Sequence, residues 1–200
     1  MQGTHSNTVK LTFSSLMTAL AIILSYFPEI PIIPAVPWLK LDFSFSPLLL
    51  LGLSIGPAYM ILALIVTNTV HILGGTTGGI GELANFLVGS ALLLPPVILY
   101  QKHRTRRNAL IGMVIGVFLM MLVGILANRF ILLPIYFPGG IEAGLKEAGN
   151  LKLDSYLGFI ALFNFVKGTI NCLLVFMLYK RLSAFMKEVE EDPSLAVRKP

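Results

Sequence analysis

The stretch Tyr156–Tyr179, YLGFIALFNFVKGTINCLLVFMLY, decides the fold. It is long and apolar enough to cross a bilayer, whose hydrocarbon core takes about 20 helical residues. Yet Lys167 stands in its middle, with Asn164 three residues before and Asn171 four residues after. At helical spacing those three share one face. A charge at mid-membrane depth costs about 2.5–3.5 kcal/mol on insertion scales, so it faces a cavity, a partner or a ligand rather than lipid. The segment predicts a membrane protein with a polar pocket inside it.

Working outward, the composition agrees. The chain is 56% hydrophobic and 12% charged, and its mean hydropathy is +0.82. A soluble domain carries about 25% charge. One bundle of membrane helices accounts for residues 1–186, and 187–200, KEVEEDPSLAVRKP, reads as a solvated tail. The single cysteine, Cys172, excludes an internal disulfide. The net charge of +5 is not a nucleic-acid signal, because its clusters flank apolar runs. Leu11–Phe27 has no small-x-small cleavage site before Pro28 and reads as a retained first helix.

Apolar runs fall at Leu11–Phe27, Phe45–Ile55, Ala58–Leu73, Leu83–Tyr100, Ala109–Tyr136 and Tyr156–Tyr179. Read as one helix, Phe45–Leu73 would be roughly 44 Å long at 1.5 Å per residue, too long for a ~30 Å core. Gly56-Pro57 breaks it. The expectation is therefore an all-α bundle of six transmembrane helices, two of them short or tilted. Lys10, the Lys102–Arg107 cluster and Lys180-Arg181 then share the cytoplasmic side, with both termini inside. A five-helix alternative with an outside N-terminus also places both basic clusters inside; Lys10 and the Gly-Pro break argue against it. The first outer loop, PEIPIIPAVPWLKLDF, holds four prolines among alternating apolar residues and suits an extended or hairpin lid.

The polar residues narrow the chemistry. The loop GGTTGGIGE, Gly74–Glu82, opens a helix but lacks the Gly-Lys-Ser/Thr ending of a phosphate-binding loop, which argues against nucleotide hydrolysis. It is either a flexible turn or a ligand-facing mouth. Glu82 and Asn85 lie one turn apart on the following helix and favour the mouth, although an acid at a helix N-terminus is also simple dipole matching. Asn128 either faces the pocket or bonds a neighbouring helix. Arg129 either snorkels to the interface or pairs with a loop acid. His71 reads as a structural histidine and Trp38 as an interface anchor. No second His or Cys stands at metal-ligand spacing. Ser14, Thr18, Ala21 and Ser25 form a small-residue stripe on the first helix, with Ser15 and Ala19 beside it. Such residues allow close helix approach, within the bundle or to a separate subunit. There is no nucleophile elbow, no His-Glu-x-x-His and no membrane carboxylate pair, so an intramembrane lipid-modifying enzyme is disfavoured. The polar residues cluster toward one half, which disfavours a channel. Asn128, Asn164, Lys167 and Asn171 form an amide- and amine-rich set. It suits a ligand offering both donors and acceptors, such as the pyrimidine edge of a flavin.

The strings LKLDFS, GELANFLVGSALLLPP, Asn128 with LPIYF, and FNFVKGTIN resemble the riboflavin-specific substrate-binding subunits of energy-coupling factor (ECF) transporters. The resemblance runs from Leu11 to Tyr179. It implies a six-helix S-component fold and riboflavin, with FMN or another vitamin as alternative, as transported ligand. It implies a transmembrane partner subunit (EcfT) and two ATPase subunits. By the family's pattern, Asn128, Asn164 and Lys167 would hold the isoalloxazine, and Leu39, Lys40 and Asp42 would close over it. The glycine loop, with Thr77 and Gly81, together with Glu82 and Asn85, would lie toward the ribityl end. The coupling motif would be Ser15 and Ala19, a departure from the commoner Ala-x-x-x-Ala.

Overall fold

The computed structural model describes residues 2–74 and 78–191, with side chains described for 8–74 and 78–178. The chain begins with α1 (Gln2–Tyr26), then pairs β1 (Ile30–Pro31) antiparallel with β2 (Lys40–Leu41), with Ile30 opposite Leu41 and Pro31 opposite Lys40. The proline-rich loop is thus a short hairpin. Then come α2 (Phe45–Ser54), α3 (Pro57–Gly74), α4 (Ile80–Lys102) and α5 (Arg106–Ala127). A π-helical turn, Asn128–Leu132, and α6 (Leu133–Tyr136) continue α5. A separate α7 (Gly140–Glu147) precedes α8 (Leu153–Glu191). Five segments are long and apolar enough to span a membrane: Thr8–Tyr26, Pro57–Gly74, Ile80–Lys102, Arg106–Tyr136 and Leu153–Leu178.

The sixth apolar helix, α2, has only 10 residues, about 15 Å of helix and half a bilayer core. Every residue from Phe45 to Leu53 is buried, as a helix apolar all round requires. It packs against α1, α3, α4 and α8. Gly56, at φ 133, makes the break before Pro57. Two features were not anticipated. The loop before α8 contains α7, and α8 carries helical backbone to Glu191, past the expected start of the tail at 187.

The helices alternate direction, so the 102–107 turn lies at one end, the basic end, and the hairpin at the other. Gln101 Nε2 donates to the Gly52 and Leu53 carbonyls and ties α4 to α2 at the basic end. There Thr105 caps α5 by accepting from the Asn108 N–H. The tightest seam is α4 on α5. A Cβ on Gly116 would sit 2.3 Å from the Leu92 carbonyl oxygen, and one on Gly112 would sit 2.3 Å from Pro96 Cα. Pro96 has no N–H to give the Leu92 carbonyl, and the α5 backbone packs against that carbonyl. An apolar core of Leu48, Leu49, Leu51, Met60, Leu64, Leu92, Leu93, Met120 and Val175 fills this end. A second core, including Val36, Leu39, Leu133, Phe137, Tyr156 and Ile160, joins the hairpin to α8 and the end of α5.

Candidate functional site

A cavity of about 240 Å³ opens at the hairpin end. From α8, Phe163, Asn164 and Lys167 line it. Tyr156, Ile160, Phe163, Asn164, Lys167 and Asn171 recur at i, i+3 and i+4 and are all buried, the pattern of one helical face. The central lysine meets a carboxylate from the far end of the sequence: Lys167 Nζ donates to Asp42 Oδ2 at 2.6 Å and to Asn85 Oδ1 at 3.2 Å. It also lies 4.7 Å from the centre of the Phe45 ring. Asp42 is held in turn. Its Oδ1 accepts from the Ser44 N–H at 2.9 Å and from Ser44 Oγ at 2.6 Å. Asn171 Nδ2 donates to the Asp42 carbonyl, and Ser46 Oγ donates to Asn171 Oδ1. A buried ion pair needs further hydrogen bonds to be tolerable, and here Ser44 supplies them to Asp42 and Asn85 accepts a second from Lys167. The pair fastens the junction of the hairpin and α2 onto α8.

Asn128 and Asn164 are placed by the end of α5. Asn128 Nδ2 donates to the Gly124 carbonyl at 2.9 Å, and Tyr156 Oη donates to Asn128 Oδ1 at 2.9 Å. The π-turn starts at Asn128, whose carbonyl accepts from the Leu133 N–H. Such turns re-aim side chains inside helices. Gly124 is required here: a Cβ on it would stand 2.4 Å from Asn164 Nδ2. Asn164 Nδ2 donates to the Ile160 carbonyl at 2.8 Å. Its Oδ1 has no protein partner among the described residues.

At the more exposed end, the hairpin, α3 and α4 meet through charge. Lys40 Nζ lies 2.6 Å from Glu29 Oε2. His71 has Glu29 Oε1 3.3 Å from its Nε2 and Glu82 Oε1 3.1 Å from its Nδ1. Tyr26 stacks on His71 with centroids 4.7 Å apart. Asn85 Nδ2 donates to Asn68 Oδ1, which extends the Asp42–Lys167–Asn85 chain to α3.

Of the residues expected from the sequence, Leu39, Lys40, Asp42, Gly81, Glu82, Asn85, Asn128, Asn164 and Lys167 all line this cavity. Thr77 lies outside the described residues. Asn171 does not line it; its amide is spent on Asp42, Ser46 and the Lys167 carbonyl. Three residues read from the sequence take more specific places here. His71 is part of the cavity wall and bridges two glutamates. Trp38 lines the cavity and packs on Phe137, with centroids 5.4 Å apart. Arg129 lies 5.6 Å from the centre of the Phe130 ring and pairs with no acid among the described residues. Sequence reasoning also missed Glu29, Thr67 and Asn68. Thr67, Asn68 and His71 recur on one face of an otherwise apolar helix, the same signal that exposed Lys167.

The cavity's unspent hydrogen-bonding groups define what it can hold. Asn164 Oδ1 is an open acceptor. Asn128 Nδ2 and Asn164 Nδ2 each retain one N–H, and Lys167 retains one of three, after the bonds above. Thr67 Oγ1 is buried with no hydrogen-bond partner among the described residues. No group of three or more His, Cys, Asp or Glu capable of holding a metal occurs among the described residues. On α1 the small residues divide. Ser14, Ala21 and Ser25 are buried, while Ser15 and Ala19 face outward beside exposed Leu16, Leu20 and Ile23.

The protein-family model for the substrate-specific component of ECF transporters matches residues 9–179. The riboflavin transporter RibU of Staphylococcus aureus (strain TCH60) is 34% identical over 183 residues, covering 90% of this chain and 93% of that protein. The riboflavin transporter FmnP of Bacillus subtilis (strain 168) is 25% identical, covering 90% of this chain and 94% of its own length. A solved S component of a bacterial ECF transporter superposes with a TM-score of 0.76 at 31% identity, covering 90% of this chain and 99% of that one. A single family model runs through all six apolar helices and the cavity between them, and the chain belongs to the substrate-specific components of energy-coupling factor transporters.

Proposed function

We infer that the chain is the riboflavin-capturing subunit of an ECF transporter, working with an energy-coupling module. The observation that carries this is the unspent hydrogen-bonding set. One open acceptor on Asn164 stands with free N–H groups of Asn128, Asn164 and Lys167 in a cavity also lined by Leu39, Val88, Leu132 and Phe163. A flavin presents the complement: a flat apolar ring whose polar edge is an N–H between two carbonyls. The relatives' names, riboflavin transporters, agree.

With Lys10, the 102–107 turn and α8's basic exit on the cytoplasmic side, the cavity opens outward and both termini lie inside. The sequence has no nucleotide-binding loop, so the work of uptake comes from outside this chain. A transmembrane coupling subunit and two ATPases would supply it, docking on the outward Ser15–Ala19 face of α1. Titration of the ligand-stripped, detergent-purified chain by flavin fluorescence quenching tests the assignment. About one riboflavin per chain is expected, and no binding by folded protein overturns it.

A further inference from the structure

The cavity is graded in charge as well as in exposure. Asn128 and Asn164 sit at its buried end, 5% and 3% exposed. At the opposite end Lys40, Glu29 and His71 have side chains 47%, 25% and 24% exposed, with the buried Glu82, 5% exposed, joined to them through His71. On the flavin assignment above, a flat ring held by Asn128 and Asn164 would leave its polyol tail among Glu29, His71 and Glu82. Neutral partners for a polyol are present there, in Ser25, Thr67 and Asn68.

An uncommitted cation for an anion is absent among the described residues that line it. The cavity lining carries three carboxylates, Glu29, Asp42 and Glu82, and two lysines, Lys40 and Lys167, a balance of −1 before His71 is counted. Each cation is committed to an acid: Lys167 to Asp42, Lys40 to Glu29, and His71 to Glu29 and Glu82. With the imidazole protonated the sum reaches zero, and with it neutral the sum is −1. In neither form do the described lining residues hold a surplus positive charge. A phosphate ester ending here would meet two carboxylates and would have to take Lys40 from Glu29.

We propose that the Glu29–His71–Glu82 rim is a charge filter that selects the neutral flavin and rejects its phosphate monoester. This rests on the flavin assignment above. It adds a specificity-determining role for Glu29 and Glu82 that concerns the ligand's tail, not its ring.

The test titrates riboflavin and FMN against the full purified chain at low and high ionic strength. Wild type should bind riboflavin more tightly than FMN by roughly tenfold or more, about 1.4 kcal/mol. Added salt should tighten FMN and leave riboflavin nearly unchanged, since screening relieves repulsion between charges. Glu82→Gln and Glu29→Gln should each strengthen FMN binding and shrink the FMN-to-riboflavin Kd ratio by roughly fivefold, about 1 kcal/mol, whichever way riboflavin itself moves. Equal affinities in wild type, or an FMN affinity that falls with salt, overturn the filter while leaving the flavin assignment intact. So do Gln variants that bind riboflavin with the ratio unchanged. Wild type that is folded and binds neither flavin overturns the assignment itself. The salt comparison on wild type decides the matter even if both variants fail to fold.

Discussion

The basic end of the bundle and the hairpin end are built from the same helices and solve opposite problems. Toward the 102–107 turn, Gly112 and Gly116 bring the α5 backbone against Pro96 and Leu92, and the space is closed with Leu, Met and Val side chains. Toward the hairpin, the same helices hold polar groups apart around an open cavity, and the structure there rests on Asp42–Lys167 and the Glu29–His71–Glu82 rim. In lipid there is little hydrophobic drive between helices. The closed end therefore relies on close packing, and the open end on paired charge and satisfied amides. A defect at the first should cost folding; a defect at the second should cost binding, unless it strands a charge.

The sharpest way to break that contrast is Asp42→Ala. It removes the partner of a lysine 4% exposed, and breaking a buried pair costs about 3–5 kcal/mol. The expected outcome is a large fall in thermal stability in detergent. The double variant Asp42→Asn with Lys167→Met should recover most of that stability and still fail to bind flavin normally. Lys167→Met alone would be neutral or stabilising for an unpaired membrane lysine. With Asp42 on its ammonium, it is expected to destabilise instead.

At the closed end, Gly116→Val forces a side chain into the Leu92 carbonyl. Overpacking costs about 1–3 kcal/mol, and more where backbone must move. Reduced thermal stability, with flavin affinity changed little in whatever folded fraction remains, is the expected pair of results. A variant as stable as wild type would mean the α4–α5 seam is looser than its distances say.

Asn128→Ala and Asn164→Ala probe the open end without stranding a charge. Each should weaken flavin binding by about 1–3 kcal/mol, the cost of a buried polar partner left unmade. Both should act more on affinity than on melting temperature. Gly124→Ala sharpens the pair: its methyl would displace the Asn164 amide, so it should mimic Asn164→Ala in titration although it touches no ligand.

The smallest effect on the purified chain should come from Ser15→Leu with Ala19→Leu. Both positions face outward, and surface changes usually lie within about 0.5 kcal/mol. Flavin titration should be unaltered, while uptake by cells and co-purification of the coupling module should be lost. Uptake that persists would place the coupling face elsewhere on the bundle.

Much of this was legible in the chain itself. Hydropathy placed all six apolar helices, and Gly56-Pro57 separated α2 from α3, because helix length and backbone breaks are local properties. The periodicity of α8 put Asn164 and Lys167 on one face for the same reason. Asn128 was found as a polar residue in an apolar run, but its π-turn was not, since that depends on how α5 is resolved ahead of Pro134. The short α7 carries too few apolar residues to announce itself.

What the sequence by itself determined is which residues are expensive in a membrane and must find partners: Lys167, Asn128, Asn164 and the acids of the loops. What only the tertiary structure decided is who those partners are. Asp42 meets Lys167 across 125 positions. Glu29 and Glu82 meet at one imidazole, and Ser14 turns inward while its neighbour Ser15 faces out. Periodicity reports the angle of a side chain about its own helix axis. Which neighbour stands at that angle depends on how the helices cross and how the hairpin closes, and these are properties of the assembled bundle.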